Sequence, residues 1–291
     1  MRRQALILCG LFALVAVTAA RADDWPPAAW SKPVKPYRVV GNIYYVGSEG
    51  LSSYLIASSE GHVLLDAGMS AEGARLVERN IVALGFKLSD VKILINTHAH
   101  YDHAGGLAQL KADTGAKLYA SSQDRPALEK GRHFGDNDND NGLTAFPAVK
   151  VDRAISDGQT VKLGETQLKA YLTPGHTIGG TTWTTTVTER GRPLKVVFFN
   201  SISVAGNALV GNRTYPKIVA DYRSTFAKLK ALPADVFLPA HEEQGGLVAK
   251  RKRFLGGDLN AFIDPTEMGR FVAASEKAFN IELARQQGAA K

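Results

Sequence analysis

Short apolar runs broken by turn residues fill the first quarter of the chain after its N-terminus. Residues 37–40, 43–46, 53–57 and 62–65 are such runs, separated by Gly41-Asn42 and by the polar stretch from Ser58 to Gly61. This rhythm predicts the strands of a meander. The period then changes. Ala74, Val77, Ile81 and Leu84 recur at three- and four-residue spacing, which predicts a helix over 71–84 ended by Gly85. The run VKILIN at 91–96 is apolar enough for a buried strand, and a helix over 104–110, a strand over 117–120 and a helix over 123–130 follow. The second half repeats the mixture, with strands at 149–154, 160–163, 167–172, 181–187 and 194–199, a helix at 217–232 and a strand at 236–239. Asp264, Pro265 and Glu267 have the order of an N-cap, a first helical residue and a capping box, so the last helix is expected to begin there. Met268, Phe271, Val272, Ser275 and Phe279 give it one inward stripe. Ahead of the meander, residues 25–36 hold four of the twelve prolines and two of the three tryptophans. That density excludes regular structure and predicts an arm lying on the domain. Many strands with helices in both halves point to an α/β architecture of two sheets with helices outside, in one domain over 23–291. The order alone leaves other α+β layouts open.

Composition narrows the class. At 45% hydrophobic and 22% charged, the chain of 291 residues is neither disordered nor fibrous. Arg2 and Arg3 precede an apolar stretch from Ala5 to Ala20, and small-residue cleavage sites end at Ala19, Ala20 or Ala22. Residues 1–22 therefore read as a signal peptide, and the mature protein is expected in the periplasm or secreted. The apolar stretch falls short of the ~20 residues of a membrane span, so no stable anchor is expected. Cleavage after Ala22 removes three arginines and no acid, which lowers the net charge from +7 to +4. It also removes Cys9, the one cysteine. An exported chain without cysteine holds together by its core alone, and any metal site in it must use His, Asp or Glu.

Such a set stands at 97–103, Thr-His-Ala-His-Tyr-Asp-His, just after the buried strand. In extended backbone alternate side chains share a face, so His98, His100 and Asp102 converge. His103 then opens a helix, and Gly105-Gly106 lets backbone approach closely. Three His and an Asp at this spacing are a metal-ligand pattern. His176 follows the strand ending at Leu172, and His241 follows the strand at 236–239, both at carboxyl strand ends where sites collect. His62 and His133 lack that placement and are expected to play no role.

In these residues the chain resembles the metallo-β-lactamase superfamily. His98, His100, Asp102 and His103 stand as its H-x-H-x-D-H motif, His176 lies in a Pro-Gly-His-Thr turn, His241 is the late histidine, and Leu65-Asp66-Ala67-Gly68 precedes the first helix. The resemblance implies an αββα sandwich with metals in a groove at one edge of the sheets, and a structural role for Asp66 beneath the metal loop. Hydroxyacylglutathione hydrolases, lactonases and nucleases of this fold carry a metal-bridging Asp at the end of the strand over 194–199, and two β-lactamase subclasses carry a Cys. This chain has Asn200-Ser201-Ile202-Ser203 there, which is similar to the third subclass of class B β-lactamases. That likeness implies two Zn²⁺, the first held by His98, His100 and His176 and the second by Asp102, His103 and His241. It also implies that Ser201 and Ser203 hydrogen-bond near the metal and at the substrate carboxylate. A zinc-bound hydroxide, oriented by Asp102, would open the β-lactam amide of a small-molecule antibiotic and so confer resistance. Another exported metallo-hydrolase, a lactonase or thioester hydrolase, is the alternative enzyme, and a zinc-binding protein without turnover is the alternative outside catalysis.

Three other motifs carry less. Asp136 to Gly142 resembles a calcium loop, but Ala148 stands where the bidentate Glu is required, so a polar loop beside the groove is expected. The basic run Lys250-Arg251-Lys252-Arg253 reads as a solvated helix face rather than a nucleic-acid site. Asn212-Arg213-Thr214 is a glycosylation sequon by pattern alone. A monomer is the favoured state.

Overall fold

A computed structural model of the protein describes residues 26–133 and 145–290. The expected signal peptide and the calcium-like loop fall outside the described residues. A first sheet takes its seven strands in chain order: β1 (Tyr37–Val40), β2 (Ile43–Tyr45), β3 (Tyr54–Ser58), β4 (Gly61–Leu65), β5 (Val91–Ile95), β6 (Lys117–Ser121) and β7 (Arg153–Ile155). The first four form an antiparallel meander. From β4 onward pairing is parallel, because a helical crossover now separates each strand from the next. Those crossovers carry α1 (Ala71–Ala83), α2 (Tyr101–Ala104), α3 (Leu107–Thr114) and α4 (Arg125–Lys130).

A second sheet of five strands has the order β12-β11-β10-β9-β8. Its members are β8 (Thr160–Leu163), β9 (Thr166–Leu172), β10 (Thr181–Glu189), β11 (Arg192–Phe199) and β12 (Val236–Pro239). All of its pairs are antiparallel except β11 with β12, which encloses α5 (Ile218–Ala231). After β12 come α6 (Glu242–Gly245), α7 (Leu247–Leu255) and α8 (Glu267–Ala289).

The two-residue period of the strands builds three apolar layers. Tyr54, Ile56, Val63, Leu65, Ile93 and Ile95 face across to Trp183, Val196, Phe198, Val236 and Leu238 of the second sheet. Their neighbours Leu55, Leu64 and Leu94 turn outward to α1, α3 and α4. On the far side Val197, Phe199 and Phe237 turn outward to α5 and α8. Both sheets being covered on their outer faces by helices is the αββα sandwich.

Local details depart from the sequence expectation. The helix expected at 104–110 is two helices around Gly105-Gly106. A Cβ on Gly105 would sit 2.2 Å from the Met69 carbonyl oxygen and one on Gly106 2.3 Å from that of Ala67, so the pair lets this turn press on the loop after β4. Of the expected strand at 149–154 only the end pairs, since Val149 and Val151 pack into the outer layer instead. The basic run lies on α7 and is a solvated face only in part: Lys252 and Arg253 are exposed, but Lys250 is buried against Glu267, and the Arg251 guanidinium covers the Tyr37 ring at 4.7 Å. The last helix starts at Glu267, later than its cap pattern predicts. Asp264 accepts from the amide and hydroxyl of Thr266, and Glu267 pairs with Lys250 rather than closing a capping box. No helix among the described residues is long and apolar enough to cross a membrane.

Trp183 joins the sheets at the point that matters for the site. It is fully buried between them, and its indole N–H donates to the Asn96 carbonyl at 3.1 Å, immediately before the histidine-rich loop. Trp183→Ala is expected to cost about 3–5 kcal/mol, the usual range for emptying so large a side chain from a core. Chemical denaturation of the metal-free protein checks this, and a loss below ~1 kcal/mol would contradict a packed inter-sheet layer.

Candidate metal centre

The carboxyl ends of β5, β9 and β12 deliver the histidines. β5 ends at Ile95, and the chain leaves it through Asn96 and Thr97 into His98 and His100, the latter standing at the N-cap of α2. Asp102 and His103 lie in the first turn of that helix. His176 sits in the turn between β9 and β10, and His241 directly follows β12 at the N-cap of α6.

These six residues, from three separate stretches of the chain, meet in two groups. Metal-capable atoms of His98, His100 and His176 lie within 4.8 Å of one another, and their ring centroids are 4.5–4.9 Å apart. In the second group His103 Nε2 is 3.1 Å from Asp102 Oδ2 and 3.0 Å from His241 Nε2, and His241 Nε2 is 3.4 Å from Asp102 Oδ2. His98 lies against both groups, 4.3 Å from His103 by ring centroid.

The surroundings fix which nitrogens point inward. Asp66 is buried in a left-handed backbone conformation (φ +57°). It accepts from the Asn96 side-chain amide (2.9 Å), the Thr97 backbone amide (2.8 Å) and the Thr97 hydroxyl (2.6 Å). The Thr97 hydroxyl, its proton so used, accepts from His98 Nδ1 at 3.1 Å. Asp66 Oδ2 also lies 3.4 Å from His103 Nδ1. His176 Nδ1 donates to the Ser203 carbonyl at 2.8 Å. In His98 and His176 a hydrogen bond holds the Nδ1 side from behind, and in His103 that side faces the Asp66 carboxylate, which leaves Nε2 of these rings toward the centre, the arrangement usual for metal-ligating histidines.

The donor set fits divalent cations. His98 Nε2 is buried with no hydrogen-bond partner among the described residues, a cost that coordination would remove. Burial pushes the His98 and His100 imidazoles well below their usual range, and the neighbouring rings push them further. Burial takes His176 down to about 4, against the raising effect of its bond to Ser203. Three neutral imidazoles converging in this way are a donor set of the kind that divalent metal sites use. In the second group, burial opposes charge on both partners, but the attraction between Asp102 and His103 prevails. Asp102 is held well below the usual carboxylate range and His103 is raised. A proton there does the work that a cation would do.

Ser201 and Ser203 follow β11. Ser201 is buried and Ser203 exposed, with their hydroxyls 3.1 Å apart and Ser203 Oγ 3.4 Å from His176 Nδ1. Asn200 turns away, donating to the Thr173 carbonyl. Three neighbours escape a reading of the sequence. His133 is expected from its placement to play no role, yet its ring stands edge to face with His100 at 4.4 Å. Trp30 of the N-terminal arm lies 5.3 Å from His241. Asp124 reaches the histidine loops from the start of α4. Spacing along the chain carries no signal for any of them, because each arrives from a loop of another part of the fold. His62, by contrast, packs edge-on against Phe86 and joins no metal-capable group among the described residues.

Residues 47–241 match the family model of the metallo-beta-lactamase superfamily. The chain belongs to that superfamily of metallo-hydrolases, whose dinuclear metal site agrees with the two groups above. Among solved structures it is similar to BJP-1, a subclass B3 metallo-beta-lactamase of Bradyrhizobium japonicum, with 44% identity, 91% of this chain and 99% of that one covered, and a TM-score of 0.86. It is also similar to FEZ-1 metallo-beta-lactamase from Legionella gormanii, with 37% identity, 88% and 98% covered and a TM-score of 0.84. Curated relatives include a hydroxyacylglutathione hydrolase of Maricaulis maris, 34% identical over 84 residues, where the match spans 29% of this chain and only 25% of that protein. Another, from Bradyrhizobium sp. strain BTAi1, is 27% identical over 72% of this chain and 70% of its own length.

The imidazole shifts set a pH dependence for the metal-free protein. A histidine whose folded pKa is depressed gives stability above its unfolded value that is lost as pH falls. His98, His100 and His176 act in that sense from about 6.5 downward, toward about 4 for His176. His103, raised to about 10, acts oppositely, and its contribution fades as pH climbs from about 6.5 toward that value. Thermal unfolding of the zinc-free protein between pH 4 and 9 is expected to show greatest stability near neutrality. A melting temperature that climbs steadily from pH 7 to pH 5 would contradict these assignments.

Proposed function

We propose that the protein is an exported zinc-dependent β-lactamase that hydrolyses the amide of small β-lactam antibiotics and confers resistance to them. The observation that carries this reading is the end of β11. There the chain presents Asn200, Ser201 and Ser203 beside His176, with no carboxylate to bridge two metals as in the thioester hydrolases and lactonases of the fold. The likeness to subclass B3 metallo-beta-lactamases over nearly their whole length supports it.

His98, His100 and His176 would hold one zinc, and Asp102, His103 and His241 the second. Two such ions supply a water acidic enough to ionise near pH 7 and positive charge at the scissile amide. The protein's own groups do the rest. Asp102, the one carboxylate of the six, accepts a hydrogen bond from the attacking water and so orients it. Ser203, exposed beside His176, offers its hydroxyl to the carboxylate that accompanies the lactam ring, and Ser201 holds that hydroxyl in place. Asp66 and Thr97 keep His98 and His103 in position from below. Loss of residues 1–22 would deliver the mature chain to the periplasm, where these substrates are met. The mass of the mature N-terminus checks it, and a retained Met1 would refute it.

The hydroxyacylglutathione hydrolase relatives favour a second reading, a thioesterase acting on a glutathione conjugate. One substrate panel separates the two. The purified zinc-loaded protein is expected to hydrolyse a chromogenic cephalosporin, to stop in excess chelator and to recover with zinc, while leaving a glutathione thioester intact. Turnover of the thioester with the cephalosporin untouched would reverse the assignment. Asp102→Asn should lower kcat by about 10²–10⁴-fold, the worth of a positioned proton acceptor, and His176→Ala should abolish turnover together with one equivalent of bound zinc. Near-normal kcat in either variant would contradict the role given to it.

A further inference from the structure

Asp124 is the residue before α4, a position where aspartate ordinarily caps its own helix. Here the side chain makes no cap hydrogen bond. It reaches instead to two other loops. Oδ2 accepts from the Ala99 amide at 3.0 Å and from the Thr177 hydroxyl at 3.0 Å, and Oδ1 accepts from the Gly179 amide at 2.9 Å. Ala99 lies between His98 and His100, and Thr177 follows His176. The loop carrying Gly179 comes so close that a Cβ there would lie 2.2 Å from Ser121 Oγ and 2.6 Å from Asp124 Cγ. Asp124 is 3% exposed. Burial pushes its carboxyl up to about 6, against hydrogen bonds from Thr177, Ala99 and Gly179 that hold it down. An ionised carboxylate kept there at neutral pH is a stability cost, the kind of local expense that functional sites carry.

We propose that Asp124 is a positioning residue that clamps the two loops bearing His98, His100 and His176 and so sets the affinity of the first zinc site specifically. The proposal rests on the assignment of those three residues to one zinc. The clamp touches both loops of that site, and none of its three donors belongs to Asp102, His103 or His241. All three partners are donors, so an amide in place of the carboxylate turns at least one N–H against another donor and loosens the clamp without changing its size.

Zinc affinity, measured by chelator competition in two backgrounds, tests this. His103→Ala leaves the His98, His100 and His176 set as the complete one; His176→Ala leaves the Asp102, His103 and His241 set. Asp124→Asn is expected to weaken zinc binding about 10–100-fold in the first background, the usual effect of losing an outer support, and to leave it nearly unchanged in the second. Equal losses in both, or none in the first, would overturn the proposal. Should Asp124→Asn fail to fold by circular dichroism, Thr177→Val, which deletes one donor at the same shape, is expected to show a smaller loss with the same selectivity. Its absence there would count equally against the clamp. A parent protein that takes up no zinc at all would overturn the zinc assignment itself, a result distinct from failure of the clamp.

Discussion

Imidazoles and a carboxylate crowded at the strand ends of two facing sheets call for a positive partner that no described residue supplies to His98 Nε2. His98 is almost wholly buried with its Nε2 unsatisfied, and the nitrogens of His103 and His241 stand 3.0 Å apart beside one carboxylate oxygen. Such groups are costly to bury unless something positive joins them. The sandwich exists around that demand. Both sheets are packed against each other and covered on their outer faces by helices, so the loops at their ends are held by ordered elements.

The supports behind the ligands explain why the arrangement is specific. Asp66 gathers Asn96, Thr97 and His103, and through Thr97 it fixes His98. Trp183 ties the other sheet to the same segment, and the Thr181 amide donates to the Thr97 carbonyl at 2.7 Å. The Ser203 carbonyl fixes His176, and Asp124 draws that turn toward His98 and His100. These partners on the far side select the tautomer and limit ring rotation. The dinuclear metal site that the family implies would supply positive charge where these groups converge, among six residues of which only Asp102 is a carboxylate.

Much of this was legible in the chain because it is local. The H-x-H-x-D-H run announces itself by spacing, and the alternation of β3, β4 and β5 separates inward from outward residues. His176 and His241 are marked by their places after strands. What stayed hidden depends on contacts across the fold. Nothing in the sequence around Asp124 tells which loops it will join, nor around His133 that it will meet His100, and Trp30 reads as part of an arm without a destination. The basic run on α7 misleads at two of its four positions for the same reason: Glu267 and Tyr37, which take up Lys250 and Arg251, come from other segments. Val149 and Val151 have strand-like composition yet pack into the outer layer as irregular chain, since their amides donate to the Leu128 carbonyl and the Glu129 side chain of α4 rather than to a neighbouring strand.

Anomalous X-ray diffraction at the zinc edge from crystals of the metal-loaded protein tests the central claim most directly. Two peaks are predicted, one among His98, His100 and His176 and the other among Asp102, His103 and His241. Zinc bound elsewhere, with these six side chains leaving no density between them, would contradict the account.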